Sequence, residues 1–190
     1  MTVSPSQITA LAKSTNFPAH NLEKVLRIRE LLVELHKHPF LKGKLVLKGG
    51  TAINPFYLDL ARLSVDIDLN YIGNVDRDAA LSERPEIVRA VEQVIGGLRY
   101  RVQHGVDEHA LREWHLNYTN HTGGADRVQI EINFLMRACA LPPRILSAAP
   151  LGGERRSVSF WCWKLKNCLA GRSRPLSTGA IHVTSMAFSI

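Results

Sequence analysis

Asp66 and Asp68 are the side chains best placed to do chemistry, because they stand in an i, i+2 pair within the apolar-flanked run Ser64-Val65-Asp66-Ile67-Asp68-Leu69. On an extended segment successive side chains alternate between faces, so both carboxylates point the same way. Carboxylates held this close repel, and one takes up a proton unless a cation intervenes. Magnesium answers that need, since it favours carboxylate oxygens together with substrate phosphates. A pair of such ions, about 4 Å apart, activates a hydroxyl and stabilises the leaving phosphate oxygen. Upstream, Lys48-Gly49-Gly50-Thr51 has the parts of a phosphate cradle. Glycines let a backbone come close to a phosphate, and a helix N-terminus offers free N–H groups and a positive dipole end. Thr51 adds a hydroxyl and Lys48 a charge. A third carboxylate is expected from a neighbouring strand. Glu131, in Val128-Gln129-Ile130-Glu131-Ile132-Asn133, alternates with apolar residues and is the best candidate; Asp126, expected in a turn, is the second. Singly these pieces are ordinary, since most D-x-D pairs are solvated or salt-bridged and most Gly-Gly pairs are turns. Their order carries the weight: apolar strand, Gly-Gly, helix, then an apolar-flanked D-x-D.

The elements that must hold these residues can be read from periodicity. Asn21 to His38 spaces its apolar residues as a helix, with Asn21 as N-cap and Pro39 as its end. Ser4 to Lys13 reads as a shorter helix, capped by Ser4 with Pro5 in the first turn. Lys44 to Leu47 and Ser64 to Tyr71 read as strands flanking a helix over Thr51 to Leu60. Pro85 to Gly96 reads as an amphipathic helix. Arg99 to Gln103, Glu113 to Tyr118 and Arg127 to Leu135 read as further strands, with Gly123-Gly124 in a turn. This order predicts an α+β fold, a mixed sheet with helices packed on it.

Composition narrows the function classes. With 45% hydrophobic and 22% charged residues, the chain has an ordinary globular balance. No apolar run approaches the roughly 18 residues that cross a bilayer, and Met1 to Ala12 has no secretory pattern; a cytoplasmic location is expected. Cys139, Cys162 and Cys168 are an odd set without paired spacing, which argues against a disulfide framework or a zinc site. His36 and His38 flank a helix end, where a solvated role is expected rather than metal binding. The net charge of +7 attracts polyanions such as RNA or NTPs.

The stretch LVLKGGTAINPFYLDLARLSVDIDLNYIG, Leu45 to Gly73, resembles the AbiEii/AbiGii-type toxins, the nucleotidyltransferase-like proteins of type IV toxin–antitoxin and abortive-infection systems. LEKVLRIRELLVELHKHPFLKGK before it, and DRVQIEINFLMR at Asp126 to Arg137, fit the same pattern. The resemblance implies a nucleotidyltransferase fold and transfer of a nucleotide from an NTP, with the tRNA acceptor end as one acceptor class. It implies that Gly49, Gly50 and Thr51 contact phosphate and that Asp66 and Asp68 bind magnesium. Lys48, Arg62 and Ser64 match motif positions that support the nucleotide or the strand, and Glu131 falls where such folds place the third acid. A cognate antitoxin protein is the implied partner. Non-catalytic binding of a nucleotide or antitoxin, and kinase-like transfer to a protein, are alternatives that the same residues permit.

Family members continue with a motif like L-A-G-K-x-x-A-L and then R-D-L-Y-D. Here FWCWKLKNCLAGR, starting at Phe160, contains neither. The expectation is therefore a nucleotidyltransferase-like domain over residues 1–145 and a divergent tail over 146–190, frameshifted or truncated, with the C-terminal helical part lost. Permitted codons for the tail can be chosen so that the frame two nucleotides later reads L-L-G-G-K-V-K-A-L and then R-D-L-N-G or R-D-L-Y-G. Loss of the phosphate-gripping lysine would cost on the order of a hundredfold in rate, since phosphoryl transfer rests on charge stabilisation. The nucleotide sequence around codon 160 checks the frame.

Overall fold

The computed structural model describes residues 4–49, 66–138, 142–148 and 158–162. Helix α1 (Pro5–Thr15) starts as expected: the Ser4 hydroxyl accepts from the Gln7 N–H, and the Gln7 side chain accepts from the Ser4 N–H. This reciprocal capping satisfies donors that a helix start leaves open. Helix α2 (Ala19–Lys37) begins at Ala19, with Pro18 at its N-cap. Asn21 therefore lies inside the first turn and is not the cap. Helix α3 (Arg77–Gly97) begins well before Pro85, because Asp76 accepts from the Ala79 N–H at 2.8 Å. The side-chain cap sets this start, and Pro85 sits within the helix instead of opening it.

The strands are β1 (Leu45–Lys48), β2 (Asp66–Tyr71), β3 (Arg101–Glu108), β4 (Leu111–Thr119), β5 (Ala125–Asn133), β6 (Arg144–Ala148) and β7 (Val158–Cys162). They form one mixed sheet in the order β3-β4-β5-β2-β1-β7-β6. β2 runs parallel to β5 and β1 to β7; the other neighbours are antiparallel. Strands β6 and β7 were not legible from the pattern. β6 lies at the sheet edge with Ile145 exposed, and in β7 Phe160 and Cys162 are buried with Trp161 only partly so. The helix expected over Thr51 to Leu60 lies outside the described residues. Among the described residues no helix is long and apolar enough to cross a membrane.

Period-two alternation sorts the sheet into a core face and a polar face. Ile67, Leu69, Trp114, Leu116, Val128, Ile130 and Ile132 are buried in one cluster with Leu31, Leu32 and Leu35 of α2 and Ile87, Val91 and Ile95 of α3. Each large aliphatic side chain buried this way stabilises by about 1.5–3 kcal/mol. Ile8 and Leu11 of α1 are also buried, and Leu11 packs with Leu22, Val25 and Leu26 in a smaller cluster.

One polar network pins the end of β2 to α3. Glu83 accepts from Lys44, from the Tyr71 hydroxyl and, at 3.1 Å, from Asn74. Burial pushes the Glu83 carboxyl up, but these donors outweigh it and hold it below its ordinary value of 4.5. Burial and the same carboxylate push the Tyr71 phenol up to about 12. Because the folded Glu83 value is the lower one, its stabilisation is fully present above pH 4.5 and lost as pH falls through the folded value. Glu83→Gln is expected to cost about 1–3 kcal/mol at pH 7, the range for unsatisfied buried donors. Urea unfolding should show that gap shrinking below pH 4; a gap unchanged at pH 3 would refute the ionic account.

Candidate active site

Lys48, Asp68 and Glu131 form one row across three adjacent strands. Lys48 is opposite Asp68 in the antiparallel β1–β2 pair, and Asp68 is opposite Glu131 in the parallel β2–β5 pair. Opposed residues share a face. Since Ile67, Leu69, Ile130 and Ile132 fill the helix-packed core, the row lies on the polar face. Asp66 joins it there, exposed at the start of β2 and opposite Gln129, while Asp68 is half-buried. Both aspartates thus share one face, and Glu131 stands beside Asp68 on the next strand.

The Lys48 ammonium lies 3.5 Å from Glu131 Oε1. It reaches there from β1 across β2, the strand that carries Asp68, so a cation is already drawn to the carboxylate side of the row. Gly49 follows with φ +71, and a Cβ on it would stand 2.5 Å from Asp68 Oδ2. Glycine is needed here twice, for a left-handed backbone and for the missing side chain. The result brings backbone directly against the Asp68 carboxylate. Gly50, Thr51, Arg62 and Ser64 lie outside the described residues.

Asp126 is placed elsewhere. It sits in β5, not in a turn, opposite Tyr118 and on the other face from Glu131. Lys24 meets it at 2.9 Å and the Tyr118 hydroxyl at 3.3 Å. Burial pushes its carboxyl up, but Lys24 and the Arg127 N–H outweigh this and hold it below its ordinary value of 3.8. Its work is to tie α2 to the β4–β5 hairpin. Sequence reasoning passed over Glu113 and His115 of β4, which continue the polar face beside Glu131 and Gln129. The signal was present in Arg112-Glu113-Trp114-His115-Leu116, where they alternate with residues now found buried.

Magnesium fits the donor set. The carboxylates are hard oxygen donors, and Gly49 leaves a space at Asp68 that a side chain would fill. Among the described residues no three His, Cys, Asp or Glu side chains converge as a metal cage. Magnesium does not require one, because it commonly takes one or two carboxylates and completes its shell with water and substrate phosphates. Asp66 and Asp68 are the residues that would hold it.

The structure is similar to MenT4, the nucleotidyltransferase toxin Rv2826c of Mycobacterium tuberculosis H37Rv, with a TM-score of 0.62 and 20% identity over 90% of this chain and 57% of that one. It is similar to JHP933 of Helicobacter pylori with a TM-score of 0.55 and 15% identity, covering 82% of this chain and 56% of that one. At such identities the likeness shows the fold, a nucleotidyltransferase-toxin-like mixed sheet with helices. The chain spans less than two thirds of the length of these structures. No curated protein matches the sequence. Residues 30–171 match the family described as nucleotidyl transferase AbiEii toxin, type IV TA system. That match covers most of the chain, including the Lys48–Asp68–Glu131 row: the protein belongs to the AbiEii nucleotidyltransferase toxin family.

Proposed function

We propose that this chain transfers a nucleotide from an NTP to a hydroxyl of an RNA acceptor, tRNA being one such acceptor, as the toxin of a toxin–antitoxin pair acting in the cytoplasm. The observation that carries this reading is the row Lys48–Asp68–Glu131 with the Gly49 backbone set against Asp68. Asp66 and Asp68 hold magnesium, and Glu131 is the third acid. Bound magnesium would supply positive charge for the phosphates and acidity for the attacking hydroxyl. Lys48, Gly49, Gly50 and Thr51 receive the phosphates, and Arg62 and Ser64 support the nucleotide or the strand. The net charge of +7 favours approach of a polyanionic acceptor. A cognate antitoxin protein is the expected partner.

The test is incubation of the chain with magnesium, total tRNA and an NTP labelled at the alpha or the gamma position. Label from the alpha position should enter RNA. Gamma label appearing in protein would replace this reading with phosphoryl transfer. Magnesium-dependent NTP binding in a calorimeter, without any product, would reduce the chain to a binding module.

A further inference from the structure

We infer that Glu113 and His115 form the acceptor side of this site, holding the hydroxyl-bearing end of the molecule that receives the nucleotide. The inference rests on the nucleotidyl-transfer reading and adds residues to it. Glu113 is opposite Glu131, and His115 is opposite Gln129, which is itself opposite Asp66. Both therefore lie on the face that carries the carboxylates. Strands are spaced about 4.8 Å apart, so β4 lies about 10 Å from β2, one strand beyond Glu131.

Simple sheet stability does not account for the pair. Like charges directly opposite each other on neighbouring strands are unfavourable, yet Glu113 faces Glu131. His115 Nε2 lies 3.3 Å from Glu113 Oε1, with the side chains 17% and 15% exposed. His115 Nδ1 is buried with no hydrogen-bond partner. Buried polar atoms are nearly always satisfied, so sheet packing alone leaves this ring unexplained. Beneath the pair, β3 offers Gly105, where a Cβ would come within 3.0 Å of Glu113 Cγ and Cδ. The β3–β4 register also shifts between His104 and Asp107, and such irregularities re-aim side chains. Glycine and bulge together keep space for the Glu113 side chain.

Order across the sheet assigns the direction. Lys48 and Gly49 stand at the end of β1 proposed for the phosphates, and Asp68, Glu131 and Glu113 follow toward β4. The Lys48 ammonium lies against Glu131, so Glu113 and its His115 partner are the polar groups at the far end of the row. A carboxylate accepts hydroxyl donors, two at once from a cis-diol, and an imidazole nitrogen can donate or accept. The terminal ribose of an RNA strand carries that chemistry.

The experiment measures equilibrium binding of the full chain to a short single-stranded RNA with a free terminal 2′,3′-diol, and to the same RNA with a 2′,3′-dideoxy end. The dideoxy RNA should bind at least tenfold more weakly. Glu113→Gln and His115→Gln should lower affinity for the diol RNA at least tenfold, with magnesium-dependent NTP affinity unchanged. Gly105→Ala, which crowds Glu113 without altering either side chain, should weaken RNA binding in the same direction and decides the matter should a Gln variant fail to fold. Equal binding of the two RNA ends, variants that bind RNA like the unmodified chain, a parallel loss of NTP affinity, or no RNA binding at all would each overturn the inference. Binding that depends on Glu113 and His115 without any transfer of alpha label overturns nucleotidyl transfer and leaves the subsite standing.

Discussion

Asp68→Asn is expected to lower transfer of alpha label by a factor of about 100 to 1,000 or more, the range seen when one electrostatic contact to a reacting phosphate is removed. Asparagine keeps the size of the side chain and one oxygen but loses the charge that would hold magnesium. Magnesium-dependent NTP affinity should fall with it. The fold should survive the change, because Asp68 is only half-buried on the polar face of the sheet and asparagine keeps its size. A thermal melt within a few degrees of the unmodified chain, paired with lost transfer, separates chemistry from folding. Asp66→Ala should abolish transfer as well, although Asp66 is the more exposed of the two. Transfer at the unmodified rate by Asp68→Asn would exclude the metal role.

That prediction could be framed from the sequence because period-two alternation is a local property. Val65 to Leu69 announces which residues share a face before any fold is known, and Glu131 announces itself the same way. What the pattern could not give was register. Nothing in the residues around Glu131 says that it stops opposite Asp68 and not one position along, and a one-residue slip would send it to the core face. Helix α2 and the cap of α1 were readable because their signals lie within a few residues of the structure they specify. The start of α3 was misread because Pro85 and Asp76 both suit a helix start, and only the upstream turn, closed by Asp76 on Ala79, decides between them. β6 and β7 were missed for a different reason. Each is five residues long, and β7 takes its place in the sheet from β1, a partner far away in the chain.

Gly49→Ala tests the close approach of the backbone to Asp68, and two effects should separate. A non-glycine residue at φ +71 is strained by about 1–2 kcal/mol. The second effect is steric: the new methyl carbon would stand 2.5 Å from Asp68 Oδ2, so the carboxylate must turn away. Turning a flexible carboxylate costs little stability, but it moves the oxygen meant for the metal. A displacement near 1 Å can cost about a hundredfold in rate, so transfer should fall by about that factor while stability falls only modestly. Gly49→Asn distinguishes the causes, because asparagine tolerates the left-handed backbone better than alanine yet carries the same Cβ. It should recover much of the stability and little of the activity. If Gly49→Asn instead restores transfer in proportion to stability, backbone strain alone is responsible, and the close approach to Asp68 has no part in the chemistry. An activity loss shared equally by both variants places glycine at this position for the sake of the carboxylate beside it.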